Sequence, residues 1–376
     1  MNEIIYKIKN LHWTLIFLVS CLSLVGLVMI YSATKEEGLN ATTSQLMKLI
    51  LGFCVMFVVA ITNINFWQKY SFLLYIVGIG FLVYATFYGF IGKGSRRWIN
   101  ILGVNIQPSE IMKIFLILAL AKFFDEKKIE SFRENLFLVI PIVLIVLPVS
   151  IIVTQPDLGT SIVLLSLGVI VFFVAGINKS FFIFCFFMFL ISSPFLWNSL
   201  HQYQKQRLLT FFDPYKDPLG SGYHIIQSEI AIGSGGFLGK GWLKGTQSHL
   251  DFLPEKKTDF IFSMLGEEFG FLGTISVIGL FILIYIIGYV ISNSIEKNFF
   301  SKVVGISIIT NFFLAGTINM AMVMGLTPVV GIPLPLVSYG GSAMITYFFG
   351  FGLILSIELS HKIQKQDNLM NLPFFR

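Results

Sequence analysis

The sequence has few charged residues: Asp, Glu, Lys and Arg together make up 12% of its 376 residues. Soluble globular chains carry about twice that share, mostly on their surfaces. Hydrophobic residues make up 55%, and the mean hydropathy is +0.81. The shortage of charge therefore excludes a soluble globular protein and indicates a chain that lies largely in the bilayer.

Cysteine is also scarce, with three residues in the whole chain. Cys21, Cys54 and Cys185 all fall within apolar runs, where cysteine usually behaves as a small hydrophobic side chain. They imply neither a disulfide framework nor a metal-binding cluster.

Long apolar runs, in contrast, recur throughout the chain. About 20 apolar residues are needed to cross a bilayer as a helix, and the runs are continuous rather than alternating, which favours helices over a β-barrel. The first run lacks a small-residue cleavage site, so we interpret it as a retained helix. We predict an all-α polytopic membrane protein, a single integral-membrane domain over 1–376, with ten spans at about 12–32, 45–63, 68–90, 108–123, 138–154, 158–176, 180–199, 259–292, 301–325 and 335–357.

Basic residues are distributed unevenly between the two sides of this bundle. An even number of spans places both termini on one side, and the short loops of that side hold most of the Lys and Arg. The positive-inside rule therefore predicts cytoplasmic termini, with residues 200–258 as one large extracytoplasmic loop. Because the basic residues are scattered and no soluble domain presents a basic face, the net charge of +6 indicates no nucleic-acid partner.

A basic and aromatic patch, Arg96, Arg97 and Trp98, falls on the predicted outer side. Such residues favour the membrane interface, so the patch could be a simple anchor. Alternatively, the guanidinium groups could bind a phosphate or pyrophosphate headgroup, which their fork geometry suits.

Ionisable residues inside predicted spans require a structural or a functional reason. Glu110 and Lys113 lie three residues apart on one helical face, where they can pair with each other or with Asp157, and we favour structural pairing. Glu267 and Glu268 are adjacent, so they cannot both face the same way. We expect one of them to face a cavity or a partner helix.

Asp259 is the most informative carboxylate, because it follows two lysines and opens a predicted span. It could cap the helix N-terminus, where the macrodipole favours negative charge. If Thr258 is the cap instead, Asp259 can point into a cavity at the outer face and act as a general base. The residues alone leave both hypotheses open.

Two segments are rich in glycine or proline. The stretch from Gly233 to Gly245 has no GxxxxGK[ST] pattern and no preceding strand, so we interpret it as a compact re-entrant or surface loop. The stretch from Pro328 to Gly341 predicts irregular backbone at membrane depth, which is tolerated only where it lines protein or a wet cavity.

One long motif resembles a known family. Residues 319–343, NMAMVMGLTPVVGIPLPLVSYGGSA, resemble the signature of the SEDS family (shape, elongation, division and sporulation). GSRRWI, QPSEIMK, TQPDLGT, QSEIAIGSGGFLGKG and FLPEKKTDFIFSMLGEEFG are also similar, so the resemblance covers nearly the whole chain. The passage Gly245–Ser248 is more similar to the elongation branch than to the division branch, while Lys257 stands where we expect His or another residue.

The resemblance implies a peptidoglycan glycosyltransferase that polymerises lipid II at the outer face of the inner membrane and releases undecaprenyl pyrophosphate with inversion. It also implies a class B penicillin-binding transpeptidase as partner and a role in the elongation machinery and rod shape. The family's essential acidic residue falls on Asp259 and its functionally important Trp on Trp98. No cofactor is implied with certainty, although a divalent cation, Mg²⁺ or Mn²⁺, could assist the pyrophosphate.

These considerations define the candidate site. Asp259 is the predicted catalytic base. The predicted substrate-binding residues are Arg96, Arg97, Trp98, Arg207, Lys256 and Lys257, and the predicted structural or cavity-lining residues are Glu110, Lys113, Asp157, Glu267, Ser338, Gly340 and Gly341. Two rival functions are a lipid II flippase, which would need polar residues along the whole crossing, and a non-catalytic scaffold for the transpeptidase. The polar residues here crowd the predicted outer half, which favours chemistry at that face.

Overall fold

A computed structural model describes residues 2–35, 38–92, 95–101, 104–127, 135–216, 220–250, 252–253, 255–295 and 298–370. Helices dominate this part of the chain: α1 Asn2–Lys9, α2 Trp13–Ala33, α3 Asn40–Ile61, α4 Ile64–Tyr88, α5 Pro108–Glu126, α6 Val139–Thr154, α7 Leu158–Val174, α8 Lys179–Ser199, α9 Gln202–Phe212, α10 Ser221–Gly235, α11 Thr246–His249, α12 Ile261–Asn293, α13 Phe299–Val323 and α14 Gly341–Met370.

The all-α polytopic fold is confirmed. Six described helices are long and apolar enough to cross a membrane: α2, α3, α4, α12, α13 and α14. The apolar helices α6, α7 and α8 are shorter, and α5 is a buried helix with charged residues near both ends. Each predicted span coincides with one of these helices. The largest difference is at α14, which continues to Met370, beyond the predicted end near 357. It begins at Gly341 rather than near 335 because the Pro- and Gly-rich stretch before it is irregular.

The centre of the bundle is built from α5, α13 and α14. In the apolar windows of α13 and α14, 72% and 83% of residues are buried, against 33% in α3. Phe312 of α13 stacks on Phe281 of α12 and meets Phe351 of α14 edge-on, at ring distances of 4.9 and 5.1 Å. Because α3 is buried on one face only, its other face is left to lipid.

A small sheet joins α4 to α5, and the sequence did not predict it. Strands β1 Phe90–Gly92, β2 Ser95–Ile101 and β3 Val104–Ile106 pair antiparallel in the order β1-β2-β3. In β2, Ile99 is buried while its neighbour Asn100 is exposed. This one-residue alternation is typical of a strand with one face against protein.

The predicted large loop, 200–258, is mostly helical. It contains α9, a short 3-10 turn at Pro214–Lys216, α10 and the one-turn helix α11. With the sheet and the irregular residues 324–340, these elements cover one end of the bundle, which we call the loop end. At the opposite end α1 meets the last turns of α14, where Lys362 Nζ donates to the Asn10 carbonyl at 2.9 Å.

Helix α12 is interrupted near the loop end. Gly270 has φ +64° and ψ −159°, a conformation open only to glycine. The glycine-rich residues 236–241 bind the backbone around this break through four hydrogen bonds. These are Lys240 N–H to Glu267 O (3.0 Å), Gly241 N–H to Glu268 O (3.0 Å), Phe271 N–H to Gly236 O (2.9 Å) and Leu272 N–H to Phe237 O (3.2 Å). The glycine-rich stretch is therefore a compact loop, as predicted, and its glycines allow close backbone approach.

Candidate functional site

Asp259 lies in a turn, residues 255–260, directly before α12. The helix begins at Ile261 with Phe260 as its N-cap and without a side-chain capping bond. The two capping hypotheses, for Asp259 and for Thr258, are therefore wrong, since the Thr258 hydroxyl donates instead to Glu255 Oε2 at 2.7 Å.

Three groups from elsewhere in the chain bind successive carbonyls of this turn. The bonds are Tyr339 N–H to Lys257 O (2.8 Å), Ser338 Oγ to Thr258 O (2.6 Å) and Asn319 Nδ2 to Asp259 O (2.9 Å). Asn319 is fully buried and also donates to the Ile332 carbonyl at 2.7 Å. The backbone under Asp259 is thus positioned by residues 319 and 338–339, both within the long motif.

The side chain of Asp259 faces the irregular segment 324–340. A Cβ on Gly331, whose φ is +74°, would lie 3.4 Å from Asp259 Oδ2. Gly331 is exposed and Asp259 is half-buried, so the carboxylate lies at the surface of the loop end. This is a position that a substrate hydroxyl can reach.

The segment around Gly331 also brings other helices to Asp259. A Cβ on Gly159, at the start of α7, would lie 2.5 Å from the Val330 carbonyl. The guanidinium of Arg207, on α9, approaches the Val329 carbonyl at 3.4 Å and is itself exposed. Residues 329–331 therefore connect α7, α9 and the Asp259 turn.

The basic and aromatic patch lies on β2. Arg97 forms an ion pair with Asp157 at 2.7 Å, and Asp157 also accepts from the Thr160 amide at the start of α7. Arg96 is exposed and donates weakly to the Phe87 carbonyl at 3.3 Å. Trp98 is half-buried against Gly92, where a Cβ would meet its indole at 2.8 Å. Arg97 is therefore held by Asp157, while Arg96 is open to solvent.

Glu110 and Lys113 form a buried ion pair of 2.8 Å in the first turns of α5. Their side chains are 7% and 5% exposed, and the Lys113 ammonium also lies 5.7 Å from the centre of the Tyr347 ring on α14. Asp157 pairs with Arg97 instead, so Glu110, Lys113 and Asp157 belong to two separate ion pairs. The Glu110–Lys113 pair joins α5 to α14 beneath the loop end.

The two lysines before Thr258 differ in their surroundings. Lys256 is 7% exposed, and its ammonium donates to the Ser248 carbonyl at 2.7 Å. Lys257 is half-buried, with its carbonyl bound to Tyr339. This geometry favours a structural role for Lys256, which was predicted to bind substrate.

Glu267 and Glu268 are both fully buried and face different partners. Oε1 of Glu267 accepts from Lys240 Nζ (2.7 Å) and from the amides of Thr246 (2.7 Å) and Gln247 (2.9 Å). Glu268 binds Ser32 of α2 and lies 3.3 Å from His249. Glu267 therefore holds the glycine-rich loop and α11 in place, rather than facing an open cavity.

A polar cluster on α3 was missed by the sequence reasoning. Ser44 lies 3.4 Å from the Tyr339 hydroxyl, and the Lys48 ammonium lies 4.0 Å from the centre of the Tyr339 ring. Burial raises the pKa of Tyr339, but hydrogen bonds with Ser44 and Lys48 and the charges of Lys48 and Lys257 outweigh it, so the pKa falls below its usual value. The available signal was a Lys at the i+4 position from a Ser within an apolar span.

His224 on α10 lies beside the Asp259 turn, with its ring 5.9 Å from that of Phe260. Burial lowers the pKa of this imidazole, and the charge of Arg207 lowers it further, against an opposing effect of Glu255. His224 is therefore neutral at physiological pH. Its Nδ1 atom is buried without a hydrogen-bond partner in the described part of the chain.

Within the described residues, no group of three or more His, Cys, Asp or Glu side chains is placed to hold a metal ion.

Six described helices are long and apolar enough to cross a membrane, and ionisable and irregular segments gather at the loop end, so the chain is a polytopic membrane protein. Comparison with known proteins gives its family. The family model described as cell cycle protein FtsW/RodA/SpoVE matches residues 12–363, and the chain belongs to this family.

Individual relatives agree with this assignment. The peptidoglycan glycosyltransferase MrdB of Escherichia coli strain K12 is 39% identical over 355 residues, covering 94% of this chain and 95% of the relative. A solved structure of a peptidoglycan synthase complex, described for its coordination of polymerization and crosslinking, contains a chain that is 29% identical with a TM-score of 0.81, covering 95% and 99% of the two chains. The Thermus thermophilus rod shape determining protein RodA, 24% identical with a TM-score of 0.69 and covering 93% and 97%, shares the fold.

Proposed function

We propose that this protein is a peptidoglycan glycosyltransferase that joins lipid II units into glycan strands, with Asp259 as its general base. Membership of the family and the 39% identity to a peptidoglycan glycosyltransferase support the activity. The observation that carries the site assignment is the Asp259 turn, whose three carbonyls are bound from residues 319, 338 and 339. A half-buried carboxylate on such a firmly held backbone is suited to repeated proton transfer.

The reaction needs one bond formed and one broken. The GlcNAc 4-hydroxyl of the acceptor attacks the anomeric carbon of the terminal MurNAc of the growing chain, and the bond from that carbon to the diphosphate oxygen breaks. The hydroxyl proton passes to Asp259, and undecaprenyl pyrophosphate leaves with the bonding electrons, which inverts the anomeric carbon. Asp259 supplies the base through position, because Gly331 leaves open space beside its Oδ2.

Cations near the carboxylate neutralise the charge that develops on the diphosphate. Arg207 is exposed and reaches the segment next to Gly331, which suits it to this role. Arg96 is also exposed and, with Trp98, would bind the headgroup at the rim. Arg97 acts through its ion pair with Asp157, which positions the start of α7.

The location and the partner follow from the same proposal. We place the chain in the bacterial inner membrane with the loop end facing the periplasm, as the distribution of Lys and Arg favours. The contact between α1 and α14 supports cytoplasmic placement of both ends together. A class B penicillin-binding transpeptidase would crosslink the product, consistent with the complex that contains the 29% identical chain. Elongation and rod shape are the process we propose, together with the elongation machinery as a wider partner.

The decisive experiment is polymerisation of lipid II by the purified protein with a transpeptidase that lacks a glycosyltransferase domain of its own. Asp259→Asn keeps the shape of the side chain and removes the base, so we expect at least a 100-fold loss of rate. Asp213→Asn is the matched control, because Asp213 lies on the same outer segment and its carboxylate pairs with the exposed Lys216 at 3.2 Å.

The outcomes separate the rival functions. Near wild-type rate for Asp259→Asn would exclude this residue as the base. Absence of polymer from the wild-type complex, with lipid II appearing on the opposite side of proteoliposomes, would favour a flippase. Absence of both activities, with transpeptidase binding retained, would favour a scaffold.

A further inference from the structure

Two of the cations that the sequence predicts to bind the diphosphate are held by other groups, so part of the diphosphate charge lacks a partner. Arg97 is taken by Asp157 at 2.7 Å, and Lys256 is buried against the Ser248 carbonyl at 2.7 Å. Another cation lies on the other side of the Asp259 turn. Lys48 of α3 has no acidic partner among the residues that the structure describes, and its ammonium rests on the Tyr339 ring.

Lys48 occupies an unusual position for a charge. It lies eight residues into α3, about 12 Å along the helix from its first residue. Its neighbours Met47 and Leu51 are 67% and 46% exposed on the face left to lipid. A lysine within a membrane helix is costly and marks a functional site by default, and a cation–π contact alone offsets only about 1–2 kcal/mol of that cost.

The surroundings of Lys48 leave room for a ligand. A Cβ on Gly340 would meet no atom within 4 Å, while a Cβ on Gly341 would touch the Lys48 side chain at 3.5 Å. The methylene carbons of Lys48 therefore pack against Gly341, and the position next to it, at Gly340, is open. This space lies one residue from Tyr339, whose amide binds the carbonyl of Lys257 in the Asp259 turn.

We propose that Lys48 binds the diphosphate of the lipid-linked donor, with Tyr339 holding the ammonium in place until the donor arrives. The ammonium has three N–H donors. Tyr339 engages them through its π face and one hydrogen bond, whereas diphosphate oxygens accept all three as charge-assisted bonds. Lipid reaches Lys48 from the exposed face of α3, so the prenyl chain need not leave the bilayer. As the bond from the anomeric carbon to oxygen breaks, negative charge grows on the diphosphate and Lys48 neutralises it. This inference rests on the proposed function and adds a second substrate-binding side to it, across the turn from Arg207.

The first test compares Lys48→Met, Lys48→Arg and Lys69→Met in the polymerisation assay. Lys69→Met is the matched control, because Lys69 also lies over a ring, Tyr70, at 5.5 Å, but near the start of α4 at the opposite end of the bundle. We expect Lys48→Met to lower kcat roughly 10- to 100-fold, Lys48→Arg to restore most of it, and Lys69→Met to match the wild type. A normal kcat for Lys48→Met would overturn the proposal.

The second test does not depend on turnover. Binding of undecaprenyl pyrophosphate and of undecaprenyl phosphate is measured on the purified protein in detergent, with thermal stability as a check on folding. We expect the wild type and Lys69→Met to prefer the diphosphate, and Lys48→Met to bind it about 10-fold or more weakly. Equal binding by wild type and Lys48→Met, or no binding by the wild type, would overturn the Lys48 site. If the wild type binds the diphosphate through Lys48 but makes no polymer, the Lys48 site is supported and the proposed polymerase function fails.

Discussion

Replacing Glu267 with Gln tests how the glycine-rich loop is held against α12. The three shortest bonds to Oε1 of Glu267 come from the Lys240 ammonium and the Thr246 and Gln247 amides, at 2.7, 2.7 and 2.9 Å. A hydrogen bond to an ionised acceptor contributes about 2 kcal/mol and one to a neutral acceptor about 1 kcal/mol. Gln keeps the shape and one acceptor oxygen, so each bond loses about 1 kcal/mol and the loop loses about 3 kcal/mol in total.

Hydrogen exchange of the purified protein measures this loss directly. About 3 kcal/mol corresponds to roughly 100-fold faster exchange through local opening, and we expect it at the amides of Thr246 and Gln247. Glu126→Gln is the control, because its ion pair with Lys122 is long, at 3.7 Å, and the Glu126 side chain is 55% exposed. Exchange at residues 246–247 that stays within about threefold of wild type would refute the reasoning, since the buried charge would then not hold the loop.

Three further changes test the backbone break, the buried imidazole and the ion pair at α7. Gly270→Ala should cost about 3 kcal/mol of stability in a thermal unfolding assay, since φ is +64° and the new Cβ would lie 2.3 Å from a backbone nitrogen. Gly279→Ala is the control in the same helix. Its Cβ would have nothing within 4 Å, so this variant should be neutral or stabilising. The pKa of His224 is lowered in the folded protein, so the unfolded chain takes up a proton more readily as the pH falls below the ordinary value of 6.5. The folded state therefore loses stability below that pH. His224→Phe should make the melting temperature nearly independent of pH between pH 5 and pH 6.5, and an unchanged slope would count against this account. Arg97→Ala should raise the KM for lipid II, and Asp157→Asn should raise it less because the arginine remains; no change in either variant would leave Arg97 as an interfacial anchor only.

Much of the fold could be predicted from the sequence because lipid imposes a simple rule. A continuous apolar run of about 20 residues has few alternatives to a membrane helix, so each predicted span coincides with a helix. The predicted helix boundaries are wrong where contacts with distant residues determine them. Helix α14 begins at Gly341 rather than near 335, since Ser338 and Tyr339 bind the Asp259 turn and cannot continue a helix there.

The sequence could not predict pairings between distant segments. The break at Gly270 depends on hydrogen bonds from residues 236–241, which no local pattern of α12 reveals. Lys48 could not be assigned to the site from the sequence, because its partner Tyr339 is 291 residues away in the chain. In contrast, Glu110 and Lys113 are neighbours on one helix, so their spacing made this ion pair one of the predicted alternatives, beside pairing with Asp157.

The backbone bonds to residues 257–259 have a consequence for how this site can vary. All three bonds are made to carbonyl oxygens, which every amino acid possesses, so the path of the turn does not depend on which side chains it carries. Residues 319 and 338–339 determine the path of the turn, and the side chains of the turn determine its chemistry. A library of side chains at positions 257–259 would therefore sample reactivity on a nearly constant scaffold, whereas substitutions at Asn319 or Ser338 would change the scaffold under unaltered chemistry.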